Sequence, residues 1–237
     1  MLFRSLVLHR EQGNPNVPAA GMQAAANIIK YFGELVAERR TRPRDDLTDA
    51  LIAARIEGDQ LEDSDIIAFL FLMIIAGNET TTKLLANALY WLWKNPGERD
   101  RVRADPELIP NWAEETLRYD ASSQLIARTL TSEVTIHGER LPAGARVALL
   151  IGSGNLDQRV FEGPDVYDVG RNCQNSLSFG HGTHFCLGAS LARLEARLSL
   201  EELQRRLPDY EICSEGIERM HSSNVRGFSK LPIEFSR

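Results

Sequence analysis

The sequence predicts a mainly α-helical chain with a small β-sheet, organised as a single domain over residues 1–237. Three observations carry that prediction. Apolar residues recur at three- and four-residue spacing along much of the chain, which is the period of a helix with one buried face. Residues 132–151 switch to alternating β-branched and polar side chains around His137-Gly138 and Pro142-Ala143-Gly144, the pattern of a small antiparallel sheet with turns. From Leu187 the helical spacing returns and holds until Leu207-Pro208 stops it.

Taken in order, MLFRSLVLHR is interrupted by Arg4 and Ser5, which argues against a signal-peptide core, and EQGNPNVP reads as a polar loop. Residues 21–40 form a surface helix, with Ile28, Phe32, Leu35 and Val36 on one face and an arginine pair at its end. Residues 45–56 give a shorter helix closed by Gly58. The longest element spans about 63–95, with Asp63 or Ser64 as N-cap and Asn95-Pro96 as terminator. Two short helices follow at 97–105 and 111–119, parted by PELIP. Beyond the small sheet, residues 152–180 are rich in Gly, Asn, Asp and Pro, and a long irregular stretch in a compact domain is expected to be functional. The tail from Asp209 contributes short strands and turns.

Composition narrows the function. With 43% hydrophobic and 25% charged residues the chain has ordinary globular proportions, and a net charge of -6 gives no basis for binding nucleic acid. Three widely spaced cysteines, Cys173, Cys186 and Cys213, make no disulfide framework and fit a reducing, cytoplasmic setting. The longest apolar run, Ile66–Ala76, has eleven residues, short of the ~20 that span a bilayer. It is expected to be buried in protein, so no membrane association is predicted.

The chemistry concentrates in SFGHGTHFCLG, residues 178–188. Cys186 stands just ahead of a helix, where unpaired N–H groups and the positive dipole end favour a thiolate, and a thiolate is a metal ligand. Gly180 and Gly182 permit left-handed turns and Gly188 leaves room on the first turn, which suits close approach of a planar group. An isolated cysteine here would read as a small buried hydrophobe. Tetrahedral zinc on His181, His184, Cys186 and Cys173 is an alternative, although C-x7-H-x2-H-x-C is not a common structural-zinc spacing.

Phe179-Gly180-x-Gly182-x-His184-x-Cys186-x-Gly188 is similar to the haem-binding signature of the cytochrome P450 monooxygenases, six fixed positions within ten residues. The resemblance implies a haem cofactor (iron protoporphyrin IX) with Cys186 as its axial thiolate, held in a loop formed with Phe179 and Gly180. Such a ligand pushes electron density toward iron and favours O–O cleavage. Three further segments look like family features. Ala76-Gly77-Asn78-Glu79-Thr80-Thr81 places a polar cluster in an apolar helix, and the resemblance implies that Thr80 hydrogen-bonds dioxygen while Glu79 serves the proton relay; alone, it would equally suit a hydroxyl-rich helix kink. Glu115 and Arg118, three apart on one helix face, resemble the family's E-x-x-R pair, with Arg171 in the third place. Arg128 and His184 are implied to bind the haem propionates.

Carried over, these features imply insertion of one oxygen atom of O2 into a small apolar organic substrate, with electrons from a ferredoxin-type partner fed by an NAD(P)H reductase. Arg193, Arg197, Arg205 and Arg206 are candidates for docking an acidic redox partner, beside the simpler reading of a solvated helix face. The sequence departs from the family at Ser176, where many members carry a histidine, and at ASSQ (121–124), which lacks a proline. The resemblance covers only the family's C-terminal part and lacks its first helices, so the fold expected is a partial cytochrome P450 fold with bare apolar faces, self-association or weak haem binding. A haem-binding remnant without turnover is therefore the second reading.

Overall fold

A computed structural model describes residues 19–220, 222 and 225–235. The sequence readings of residues 1–18 as a non-signal opening and polar loop lie outside these described residues. Contacts divide the chain into two compact units, Met1–Glu79 and Thr80–Arg237.

In the first unit, α1 (Ala19–Thr41) carries Arg39 and Arg40 in its last turn, where they face the negative end of the helix dipole. Asp46 caps α2 (Leu47–Ala53), its carboxylate accepting from the Thr48 and Asp49 amides. The neighbouring Arg39 guanidinium, whose Nε donates to Asp46 at 3.0 Å, holds that carboxyl below the usual range. The expected helix to residue 56 stops early, because Glu57 and Gly58 adopt left-handed angles and turn the chain into a hairpin of β1 (Arg55–Ile56) and β2 (Asp59–Gln60). Ile28, Phe32 and Val36 of α1 pack with Ile66 and Leu70 of α3 (Asp63–Lys94) into the core of this unit. Removing each such side chain from water contributes about 1.5–3 kcal/mol.

The expectation that the apolar run of α3 is buried holds for one face only. Ile66 and Leu70 are inside, whereas Leu72 is 60% exposed and Met73 is also open to solvent. The α1 side of the run has apolar neighbours and the Leu72 side is bare. By length and composition α3 would also pass for a membrane span, with a mean hydropathy of 1.3 in its most apolar window, a test that core helices of soluble proteins pass as well. Its polar stretch at Asn78–Thr82 does not end the helix, which continues to Lys94.

The second unit holds the C-terminal part of α3, α4 (Pro96–Ala104), α5 (Ile109–Tyr119), a short helical turn α6 (Ile151–Gly154) and α7 (Ala189–Arg206). Leu84, Ala88 and Leu92 of α3, Trp112 and Leu117 of α5, and Ala196 and Leu200 of α7 share one core with Val169 and Tyr210. Polar tips inside it are satisfied by helix carbonyls: Trp112 Nε1 donates to Ala88 O at 3.2 Å and Tyr210 OH to Leu89 O at 2.7 Å.

The predicted sheet proves to be two separate ladders. One is the hairpin of β4 (Val134–Ile136) and β5 (Glu139–Leu141), turning through left-handed His137 and Gly138. The other pairs β3 (Ile126–Thr129) with β6 (Arg146–Leu149), so the hairpin is an excursion between two strands that meet around it. Four further strands, β7 (Glu211–Ile212), β8 (Glu218–Arg219), β9 (Phe228–Lys230) and β10 (Ile233–Glu234), form the pairs β7–β10 and β8–β9.

Candidate cofactor site

Residues 178–188 fold as a loop closed by its own backbone. Gly180 donates to Leu177 O at 2.8 Å, Phe185 to Gly182 O at 2.9 Å, and Cys186 to Phe179 O at 2.8 Å. Gly180 and Gly182 sit at φ of 76° and 71°, angles at which an L side chain is strained. A Cβ added at Gly182 or Gly188 would meet nothing within 4 Å, so the backbone faces open space on those sides. His184 ends a single 3-10 turn, Gly182–His184, and the chain enters α7 three residues after Cys186.

Cys186 is a free, exposed thiol. Beside it Phe185 is 49% and Leu187 79% exposed, an apolar surface of the kind a flat hydrophobic group covers. Phe179 is half-buried and its ring lies 6.3 Å from that of Phe185. The Arg193 guanidinium stacks on the Phe179 ring at 4.5 Å, and its pKa is raised first by its bond to Glu114 and further by the charge of Cys186. The loop thus presents a thiol, a cation near it, open backbone and apolar flanks. Those features fit a haem held through sulfur.

Behind the loop lies a buried ion-pair cluster. Glu115 and Arg118 are fully buried on α5 and form a two-pronged pair, Arg118 Nε to Oε2 and Nη2 to Oε1, each 2.7 Å. Arg171 Nε comes to 3.4 Å of Glu115 Oε1, which also accepts the Asp168 amide at 3.0 Å. The remaining donors are taken up by carbonyls of the irregular segment: Arg118 reaches Asn155, Pro164 and Val166, and Arg171 reaches Glu162, Gly163 and Val166. A buried charge with this many partners is tolerated, and a stretch without helix or strand acquires a fixed path.

The second unit also places Thr80 and Arg128. The Thr80 carbonyl accepts the Ser122 hydroxyl at 2.8 Å. Arg128, half-buried on β3, donates to the Ala127 carbonyl at 2.9 Å, and no carboxylate among the described residues pairs with it, which leaves its charge for an anionic guest. In the first unit Glu79 is buried, and Ala76 and Gly77 are exposed with nothing within 4 Å of a Cβ added at Gly77.

Several further side chains matter that sequence reasoning did not single out. Asn155 is fully buried; its amide donates to Ser178 Oγ at 2.8 Å, its Oδ1 accepts the Leu177 amide at 2.7 Å, and its backbone carbonyl takes Arg118. It thereby ties the ion-pair cluster to the start of the cysteine loop, and its only sequence signal was membership of the Gly- and Asn-rich stretch. Ser176 joins this network through Ser178 Oγ at 3.0 Å. Asp120, also buried, gathers Trp91, Arg219 and Arg226 around one carboxylate.

Zinc finds no geometric support. Among the described residues no three His, Cys, Asp or Glu side chains converge to hold a metal ion. Cys173 instead directs its Sγ to Glu115 Oε2 at 3.4 Å, and burial pushes its thiol up to about 12. The candidate docking arginines of α7 are all paired on the surface, Arg193 with Glu114, Arg197 with Glu201, and Arg205 and Arg206 with Glu202.

Comparison with known proteins agrees with this geometry. The cytochrome P450 family model matches residues 19–208. A putative cytochrome P450 123 of Mycobacterium tuberculosis is 54% identical over 228 residues, 96% of this chain and 57% of the relative. A steroid C26-monooxygenase of the same species is 37% identical, over 91% of this chain and 58% of its own length. The crystal structure of CYP109E1 from Bacillus megaterium in complex with testosterone superposes with a TM-score of 0.88 at 38% identity, covering 92% of this chain and 61% of that one. The chain therefore spans somewhat over half the length of the relatives it matches.

Proposed function

Because this chain belongs to the cytochrome P450 family, we propose that it carries the haem-thiolate part of a monooxygenase that inserts one oxygen atom of O2 into a small apolar organic substrate. The observation that carries the reading is Cys186: an exposed thiol in a glycine-turned loop at the head of α7, flanked by bare apolar side chains. The haem, when bound, supplies the oxygen-activating iron chemistry, tuned by its thiolate ligand.

The residues of this chain take the following parts in that reading. Cys186 binds through sulfur, with Phe179, Gly180 and the loop backbone beside the macrocycle. Arg128 and His184 hold the propionates. Thr80 positions a proton donor at the oxygen site and Glu79 passes protons toward it from solvent. Glu115, Arg118 and Arg171 are positioning residues, since they fix the path of residues 155–178 and through it the loop. Electrons come from a ferredoxin-type protein and its NAD(P)H reductase, in the cytoplasm. The testosterone complex of the Bacillus relative supports an apolar substrate of modest size.

A reduced-plus-CO difference spectrum after reconstitution with hemin tests this. A Soret band in the thiolate-ligated position is expected, and Cys186→Ala should abolish it. A colourless protein, or a band unchanged by that substitution, would refute the assignment. A normal band without substrate oxidation, given a competent electron supply, would favour the haem-binding remnant.

A further inference from the structure

A cavity of about 490 Å3 opens in the second unit, between residues 121–126 and the β8–β9 hairpin. Its size falls in the range that holds a small organic ligand. The hairpin is fixed against both neighbours. Arg226 donates its amide to Ser122 O at 2.8 Å, and a Cβ at Gly227 would lie 2.7 Å from Lys83 Cβ, so glycine there permits close packing on α3.

The wall carries unbalanced charge. Arg226 Nε lies 2.7 Å from Asp120 Oδ1 and Arg219 Nη1 lies 3.5 Å from Oδ2, while Trp91 Nε1 donates to that same Oδ2 at 2.8 Å. Asp120 is 2% exposed at the side chain, whereas Arg226 and Arg219 are 55% and 39% exposed, and both line the cavity. No other carboxylate among the described residues pairs with either guanidinium. Two cations over one anion leave a single net positive charge, with planar donors that match a carboxylate. Arg219 is held flat against the Phe228 ring at 3.8 Å, so part of its side-chain entropy is already lost. Gln124 and Ser222 add polar groups, and Met220 and Val225 supply apolar wall.

We propose that this cavity binds a small amphipathic monocarboxylate, its carboxylate on Arg226 and Arg219 and its hydrocarbon part along Met220 and Val225. Naming that molecule as the oxidised substrate rests on the monooxygenase reading. The link is Ser122, which takes the Arg226 amide on its carbonyl and gives its hydroxyl to Thr80, so the cavity wall and the oxygen-activating position share one segment. The binding site itself does not depend on haem.

The test titrates the purified chain with octanoate and with 1-octanol, by calorimetry and tryptophan fluorescence, Trp91 being bonded to the shared carboxylate. Octanoate is expected to bind at least tenfold more tightly than 1-octanol. Arg226→Gln and Arg219→Gln should each erase that preference while leaving 1-octanol unchanged, and Arg226→Lys, which keeps the Asp120 pair, should keep part of it. Circular dichroism identifies any variant that fails to fold, in which case Arg226→Lys and Arg219→Gln decide. Equal affinity for the two ligands, no binding of octanoate, or a preference that survives both glutamine substitutions would overturn the proposal. The CO spectrum of the same samples separates the two readings: a normal spectrum without octanoate preference removes this site alone, and the preference without the spectrum retains the site while removing the monooxygenase.

Discussion

Glu114 and Glu115 are neighbours on α5 with opposite fates, and they offer a controlled perturbation. Both oxygens of Glu115 are used, by two bonds from Arg118, one from Arg171, the Asp168 amide and the Cys173 thiol, with the side chain fully buried. Glu115→Gln keeps the volume but removes the charge that balances two guanidiniums, and it turns an amide NH2 toward donors. Breaking a buried pair from one side costs about 3–5 kcal/mol. Glu114 pairs with Arg193 at the surface, both side chains partly solvated, and such pairs are worth about 0–1 kcal/mol. Urea unfolding followed by circular dichroism is the assay. With m near about 2 kcal/mol per M, Glu115→Gln should lower the midpoint by about 2 M and Glu114→Gln by less than about 0.5 M. If both variants fall by less than about 0.5 M, the cluster is not the structural anchor argued for it.

Other substitutions probe the remaining links. Asn155→Ala strands the Leu177 amide and the Ser178 hydroxyl and should cost about 2–3 kcal/mol, about 5–10 °C in Tm by calorimetry, with hemin retention falling alongside. Thr80→Ala should lower product formed per O2 consumed and raise peroxide release; unchanged coupling would remove Thr80 from the proton path. At pH 8.5 iodoacetamide should modify Cys186 first and hemin should protect it, while Cys173, raised from 9.0 to about 12, has about a thousandfold less thiolate and reacts only after unfolding, as peptide mapping would show. Because that raised pKa lets the unfolded thiol ionise first, the stability Cys173 contributes is present below pH 9 and lost as pH climbs from 9 toward 12, a slope that Cys173→Ala should flatten. Leu187, Leu191, Leu194 and Leu198 stand in an exposed row, so the chain alone should elute from size exclusion at a concentration-dependent size; Leu194→Lys with Leu198→Lys should reduce this, and a single monomer peak at all concentrations would contradict it.

The sequence alone determined what depends on neighbours in the chain. Helical periodicity, caps and proline stops located α1, α3 and α7 to within a residue or two, and the glycine spacing around Cys186 identified a loop built for a planar partner, because φ limits and dipole direction are local properties. The partial match to the family was legible for the same reason, since six fixed residues occupy one short loop. Pairing across sequence distance was not. Whether Glu115 and Arg118 were a surface pair or a buried one depended on Arg171 and on carbonyls contributed by residues 155–166, which no periodicity encodes. Asn155 and Asp120 gave no signal, because a buried polar side chain is recognised by what surrounds it rather than by its own type. The division of the predicted sheet into two ladders, and the sharing of Asp120 by Arg219 and Arg226, were likewise decided by tertiary structure, where strands and charges distant in sequence compete for the same hydrogen-bond partners.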